Sequence, residues 1–164
     1  MKRMTFTLVM LAAAWRLFAQ QDGRQMFDLS GGERYRDDSS TLDFTVEGNA
    51  LVVSGTASGK AGGGYIITSS DDMQFSGYQK LFIRVSGISE YDRYNGKKLL
   101  KLELNGIAQR TVTPAMRNKN DPNYINAQNE EAVFDISKVK NIKSINLVFY
   151  DCAMNSVRIE VFYE

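Results

Sequence analysis

Histidine is missing from all 164 residues, cysteine and tryptophan occur once each, and proline occurs twice. Without an imidazole, the serine and cysteine triads that use one, histidine-based zinc sites and the commonest general acid–base are all excluded. A lone cysteine, Cys152, excludes an internal disulfide, so the fold must stand on its hydrophobic core. Beside Asp151 and Ala153 at a strand end, it reads as a buried, unreactive thiol. No apolar run reaches the roughly 20 residues a membrane-crossing helix needs, so no membrane span is expected. Charge of a single sign is lacking as well: 20 basic and 19 acidic residues are interspersed along the chain, which argues against nucleic acid as a partner.

What is present begins with a basic start, Lys2 and Arg3, followed by an apolar stretch from Met4 to Trp15 and small residues up to Ala19. That layout is a secretory signal, expected to be cleaved after Ala14 or, the favoured reading, after Ala19, which leaves a polar mature start. Residues 1–19 are then a signal peptide and residues 20–164 one β-sandwich domain, secreted or periplasmic, of a size that buries a proper core. Losing Lys2, Arg3 and Arg16, three of the 20 basic residues against 19 acidic ones, turns the formal charge from +1 to −2. The same cleavage removes Trp15, the only tryptophan.

No sustained 3.6-residue periodicity runs through the chain, whereas short alternating runs recur between turn residues, the pattern of an all-β domain. About nine strands are expected, at 42–46, 50–54, 64–68, 81–86, 99–105, 107–113, 132–136, 145–150 and 157–163. Leu81, Ile83 and Val85 leave one face of their strand while Phe82 and Arg84 leave the other. Leu100, Leu102 and Leu104 alternate in the same way with Lys101 and Glu103, and Val157, Ile159, Val161 and Tyr163 with Arg158, Glu160 and Phe162. One buried and one mixed face per strand is what a two-sheet antiparallel sandwich requires. Asn105-Gly106 predicts a tight hairpin, and Glu47-Gly48-Asn49 another turn.

The glycine-rich stretch 55–64 holds a lysine, yet a phosphate loop would place its lysine and hydroxyl after the last glycine, at a helix start. Here the glycines lead into a strand, so the stretch reads as a connection between sheets. Two longer loops, 87–98 with Tyr91 and Tyr94 and 114–131 centred on Tyr124, are either functional or plain solvated connections. The adjacent acids Asp37-Asp38, Asp71-Asp72 and Glu130-Glu131 sit in turn-like segments where solvated charge is the default, so glycosidase chemistry is not expected. The oxygen-rich stretch 118–123 matches no calcium motif.

Three stretches together resemble the carbohydrate-binding-module or galactose-binding-like jelly-roll superfamily. They are Met26-Phe27-Asp28-Leu29 with the later Gly62-Gly63-Gly64-Tyr65, then Gly77-Tyr78-Gln79-Lys80-Leu81 leading into its strand, then Val133-Phe134-Asp135-Ile136 with the two closing strands. The resemblance implies a two-sheet antiparallel jelly roll and a non-catalytic exported binding domain with carbohydrate as ligand. It places ligand-binding residues at Arg84, Lys101, Glu103 and Arg110, with Tyr65, Tyr91, Tyr94 and Tyr124 as stacking rings, since a pyranose offers an apolar face and a polar rim. It also implies a structural calcium at Asp28 and Glu160. With tryptophan gone from the mature chain, the alternative is an envelope-assembly component that binds a protein partner with the same sandwich and no sugar. A ring exposed on a sheet face favours the first reading, and a flat ringless face the second.

Overall fold

Alternation of leucine, isoleucine and valine with polar residues gives each central strand one apolar edge, and two such sheets bury those edges against each other. A computed structural model describes residues 23–35, 40–57, 63–88, 93–94, 100–113, 124–125, 131–150 and 152–164. The expected signal peptide, Tyr91, the stretch 118–123 and most of the two long loops lie outside the described residues.

Every named element among the described residues is a strand. They run β1 (Gln25–Met26), β2 (Glu33–Tyr35), β3 (Asp43–Glu47), β4 (Ala50–Ala57), β5 (Gly64–Thr68), β6 (Lys80–Ser86), β7 (Arg93–Tyr94), β8 (Leu100–Leu104), β9 (Ile107–Ala108), β10 (Tyr124–Ile125), β11 (Glu131–Asp135), β12 (Ser144–Phe149) and β13 (Cys152–Tyr163). The first sheet has the order β11-β6-β13-β4-β3, with β1 and β7 also pairing with β13. The second has the order β10-β8-β12-β5-β2, with β9 on β8. All pairings among the described residues are antiparallel, and successive strands change sheet at β1–β2, β2–β3, β4–β5, β5–β6, β7–β8, β10–β11, β11–β12 and β12–β13. This is the two-sheet antiparallel jelly roll expected from the sequence.

All nine expected strands have a counterpart, and four short ones join them. The leucines of β8 and the Leu81, Ile83 and Val85 set of β6 are buried, as are Val157, Ile159, Val161 and Tyr163 of β13. One hydrophobic cluster runs from Phe27 to Tyr163, with Phe75 edge-on to Phe27 at 4.8 Å. Burying such side chains contributes roughly 1.5–3 kcal/mol each before the cost of ordering the chain. Cys152 lies within this cluster.

Two expected strands come out differently. The hairpin at Asn105-Gly106 forms, with φ of 50° and 73° at the two turn residues, pairing Leu104 with Ile107 and Glu103 with Ala108. The chain then leaves the second sheet instead of continuing to 113. Thr111 bridges to Phe134 of the first sheet, and Val112 N donates to Val133 O at 2.7 Å. The strand expected at 157–163 starts earlier, at Cys152, because a bulge between Met154 and Val157 resets its register. Ser156 takes a φ of 60° there and donates its N–H to Ser54 Oγ at 3.0 Å, so the alternation breaks although pairing continues.

The glycine-rich stretch does join the two sheets, from β4 to β5. At Gly55, with φ of 103°, a methyl group would lie 2.5 Å from Thr41 O. Gly55 thus lies inside β4, paired with Met154, and is set by close backbone approach within a strand; the connection itself is shorter than expected, since 55–57 and 64 belong to strands.

Candidate functional site

Each sheet turns one face outward, and the two outer faces differ in how their charges are used. On the first sheet, Phe82 and Phe162 point away from the core yet are only 3% and 7% exposed. The Arg24 guanidinium covers Phe82, and the Arg84 guanidinium lies 4.7 Å from the Phe162 ring centre. Glu131 joins the two arginines, accepting from Arg24 Nη1 at 2.7 Å and Arg84 Nη2 at 3.1 Å. Glu160 takes Arg158 at 3.4 Å and Arg84 at 4.0 Å, and Lys80 pairs with Glu164 at 2.8 Å. The rings of this face are thus roofed by guanidinium groups whose hydrogen bonds go to carboxylates.

The second sheet offers a different surface. Its pairing register lays two rows of residues across the outer face. One row runs Tyr124, Lys101, Val148, Gly64, Tyr35. The next runs Ala108, Glu103, Asn146, Ile66, Glu33. Alternation dictates this, since Leu100, Leu102, Leu104, Ile145 and Leu147 face inward. Lys101 Nζ meets Glu103 Oε1 at 2.6 Å, and Asn146 Nδ2 donates to Glu103 Oε2 at 3.3 Å. The other end of that amide, Asn146 Oδ1, is buried and accepts no hydrogen bond.

Gly64 is buried between Val148 and Tyr35 in the first row, with the side chains of Asn146 and Tyr35 packed closely over it. A methyl group there would lie 3.0 Å from Asn146 Oδ1 and 3.4 Å from Tyr35 Cδ1. Its φ is an ordinary one, so the glycine is needed for space and not for backbone conformation. At the first residue of β5, a glycine of this kind marks a place of close approach. Tyr35 flanks it with half its surface, 51%, exposed. A half-exposed ring and a line of amide and carboxylate groups together fit a flat ligand with hydroxyls on its rim.

The residues predicted from sequence do not form one cluster. Lys101 and Glu103 lie on this outer face, and Tyr124 pairs directly opposite Lys101. Arg84 and Glu160 lie on the opposite outer face, within the ion network. Arg110 is exposed where the chain crosses between the sheets. Tyr94 pairs opposite Cys152, and Tyr91 lies outside the described residues. Tyr65, expected as a stacking ring, is a core residue, 5% exposed; its hydroxyl donates to Leu29 O at 2.6 Å. The alternation of β5 turns Tyr65 inward beside Ile67, and burial raises its pKa above the ordinary tyrosine value, opposed by a hydrogen bond with the Gly32 backbone and helped by the charge of Asp28.

Asp28 is exposed and its carboxylate accepts the Ser30 N–H at 2.8 Å, while the Glu160 carboxylate is held by arginines. No group of three or more acidic or cysteine side chains suited to a metal occurs among the described residues. A shallow hollow of about 280 Å³ lined by Gln79, Lys80, Val112, Asp135 and Ser137 opens at one end of the first sheet. Its charges are already engaged, Lys80 by Glu164 and Asp135 by the N–H and hydroxyl of Ser137, which hold that carboxyl below its usual range.

Tyr35, Gly64 and Asn146 were not among the residues singled out from sequence. Tyr35 stands in Glu33-Arg34-Tyr35-Arg36, too charged for the alternation that marks a strand. Gly64 closes a run of three glycines and so reads as part of a connection.

No family model matches the chain, and no curated protein matches it. Among solved structures it is similar to a low affinity xylan binding module from the xylanolytic gut symbiont Roseburia intestinalis. The identity is 12% over 86% of this chain and 94% of that one, with a TM-score of 0.46. No helix among the described residues is long and apolar enough to cross a membrane.

Proposed function

We propose that the protein is an exported, non-catalytic binding domain whose ligand is carbohydrate, held on the outer face of the second sheet. The observation that carries this reading is the Tyr35 ring, half exposed on the outer face with the Asn146–Glu103–Lys101 line on β12 and β8 of the same sheet. A sugar ring set against Tyr35 buries its apolar face there and turns hydroxyls toward the polar row.

A binding role without catalysis is supported by the spacing of the acids on this face. Glu103 and Glu33 stand three strand steps apart in their row. At about 4.8 Å per step their backbones are roughly 14 Å apart. The two carboxyls of a glycosidase stand about 5 to 10 Å apart. Glu131 and Glu160, on the other face, are ion-paired to arginines. An exposed ring on a sheet face also speaks for sugar over the protein-assembly alternative. Export rests on the basic and apolar start of the sequence alone.

The test is a glycan array followed by calorimetric titration. Tyr35→Ala should weaken binding about five- to tenfold, the worth of one aromatic contact, and leave thermal stability nearly unchanged because the ring is half exposed. Wild-type protein that binds no glycan at millimolar concentration would sink the reading.

A further inference from the structure

We infer that the outer face of the second sheet selects uncharged glycans and discriminates against uronate-bearing or sulfated ones; this rests on the carbohydrate reading and specifies its ligand class. The described residues of the two rows carry one cation, Lys101, and two carboxylates, Glu103 and Glu33. The cation is already neutralised, with its Nζ 2.6 Å from Glu103 Oε1. Arginine, whose planar fork matches a carboxylate or sulfate with two parallel hydrogen bonds, has no place in either row. Arg24, Arg84 and Arg158 all lie on the first sheet's side and bind Glu131, Glu160 and Glu164. Arg34 alternates away from this face, paired with Tyr65.

Hydrogen-bond polarity points the same way. Asn146 spends a donor on Glu103 and so has less to offer a ligand's acceptors. Glu33 and Glu103 accept only, when ionised. The face therefore asks its ligand for donors. Hydroxyl groups of a neutral sugar supply them, whereas carboxylate and sulfate oxygens bring more acceptors and a charge that Glu33, the carboxylate left over once Lys101 and Glu103 pair, repels.

Calorimetric titration of the full chain with neutral hexa-oligosaccharides of glucose, xylose and mannose, and in parallel with oligogalacturonate and a heparin-derived hexasaccharide, tests this. At least one neutral oligosaccharide should bind with an affinity changing less than about twofold between about 20 and 300 mM salt, as expected where no ligand charge is involved. The acidic ones should bind at least about tenfold more weakly. Glu33→Lys, a change at an exposed strand residue, should narrow that gap severalfold by removing a repelling charge from the face. Acidic oligosaccharides binding as tightly as neutral ones, with affinity falling as salt rises, would overturn the inference while leaving the glycan reading intact. Neutral binding that survives Tyr35→Ala at full strength would also overturn it, by moving the site elsewhere. Binding to neither class overturns the glycan reading itself.

Discussion

The Arg24 guanidinium carbon lies 3.7 Å from the centre of the Phe82 ring. An outward-facing phenylalanine is thereby kept 3% exposed by a charged residue that the chain places next to the two-residue strand β1. The same guanidinium reaches Glu131 at 2.7 Å and Glu164 at 3.8 Å. It ties the β1 end of the chain to β6 and β11 as well as to β13.

Arg24→Ala should therefore cost about 1–2 kcal/mol, the sum of a partly desolvated cation–ring contact and a solvent-screened ion pair. Arg24→Lys should recover less than half, because an ammonium cannot lie flat on the ring while bridging two carboxylates. Urea unfolding of the three proteins measures this, and equal stability of wild type and alanine variant would refute it.

Two glycines with positive φ should respond unequally to alanine. Gly55 has φ of 103° and a backbone oxygen 2.5 Å from where the methyl would sit; Gly77 has φ of 89° and nothing within 4 Å. Gly55→Ala should cost about 2–4 kcal/mol through strain plus collision, and Gly77→Ala about 1–2 kcal/mol through strain alone. Thermal melts that rank the two in the reverse order would contradict this account of the close approach at Gly55.

Tyr65→Phe removes the donor to Leu29 O and should cost about 1–2 kcal/mol. It should also change the alkaline limb of stability. Burial raises the Tyr65 pKa in the folded protein, and burial followed by the neighbouring Tyr78 does the same for Tyr163. A raised folded value means the stabilisation is complete below the ordinary tyrosine pKa of about 10 and fades as pH rises through the folded value. Urea midpoints between about pH 9 and 11 should fall for wild type and fall less steeply for Tyr65→Phe, with Tyr163 supplying the remaining slope.

The Cys152 thiol, 5% exposed, should be protected. Its reaction with a disulfide reagent should be at least about a hundredfold slower in native protein than in denaturant. Rapid stoichiometric labelling of the native protein would place the thiol outside the core.

Much of this architecture is legible from residue order. The leucines of β8 and the aliphatic set of β6 declare both strand and face, because a side-chain period of two leaves no other assignment. Asn105-Gly106 declares its turn through the positive φ it tolerates. What spacing could not convey is cover. Phe82 and Phe162 occupy outward positions, yet guanidinium groups from β6 and from beside β1 hide them, a contact made between residues far apart in the chain. The site was half legible for the same reason. Lys101 and Glu103 are visible as outward charges on an alternating strand. Asn146 gains meaning only when β12 is set beside β8 and β5, and Tyr35 only when β2 is laid along Gly64.

The strand at the middle of the first sheet, β13, is the latest of the thirteen in chain order. Until it is made, β3 with β4 and β6 with β11 are two separate ribbons, each with a bare inner edge. Half the sandwich therefore waits on pairings of long sequence separation, which are slow to form. Exposed strand edges of that kind invite pairing with other chains. Handling during synthesis thus matters to this fold as much as its final stability: a nascent chain held unfolded until β13 emerges closes its first sheet in one event, with neither inner ribbon edge left to find a neighbour.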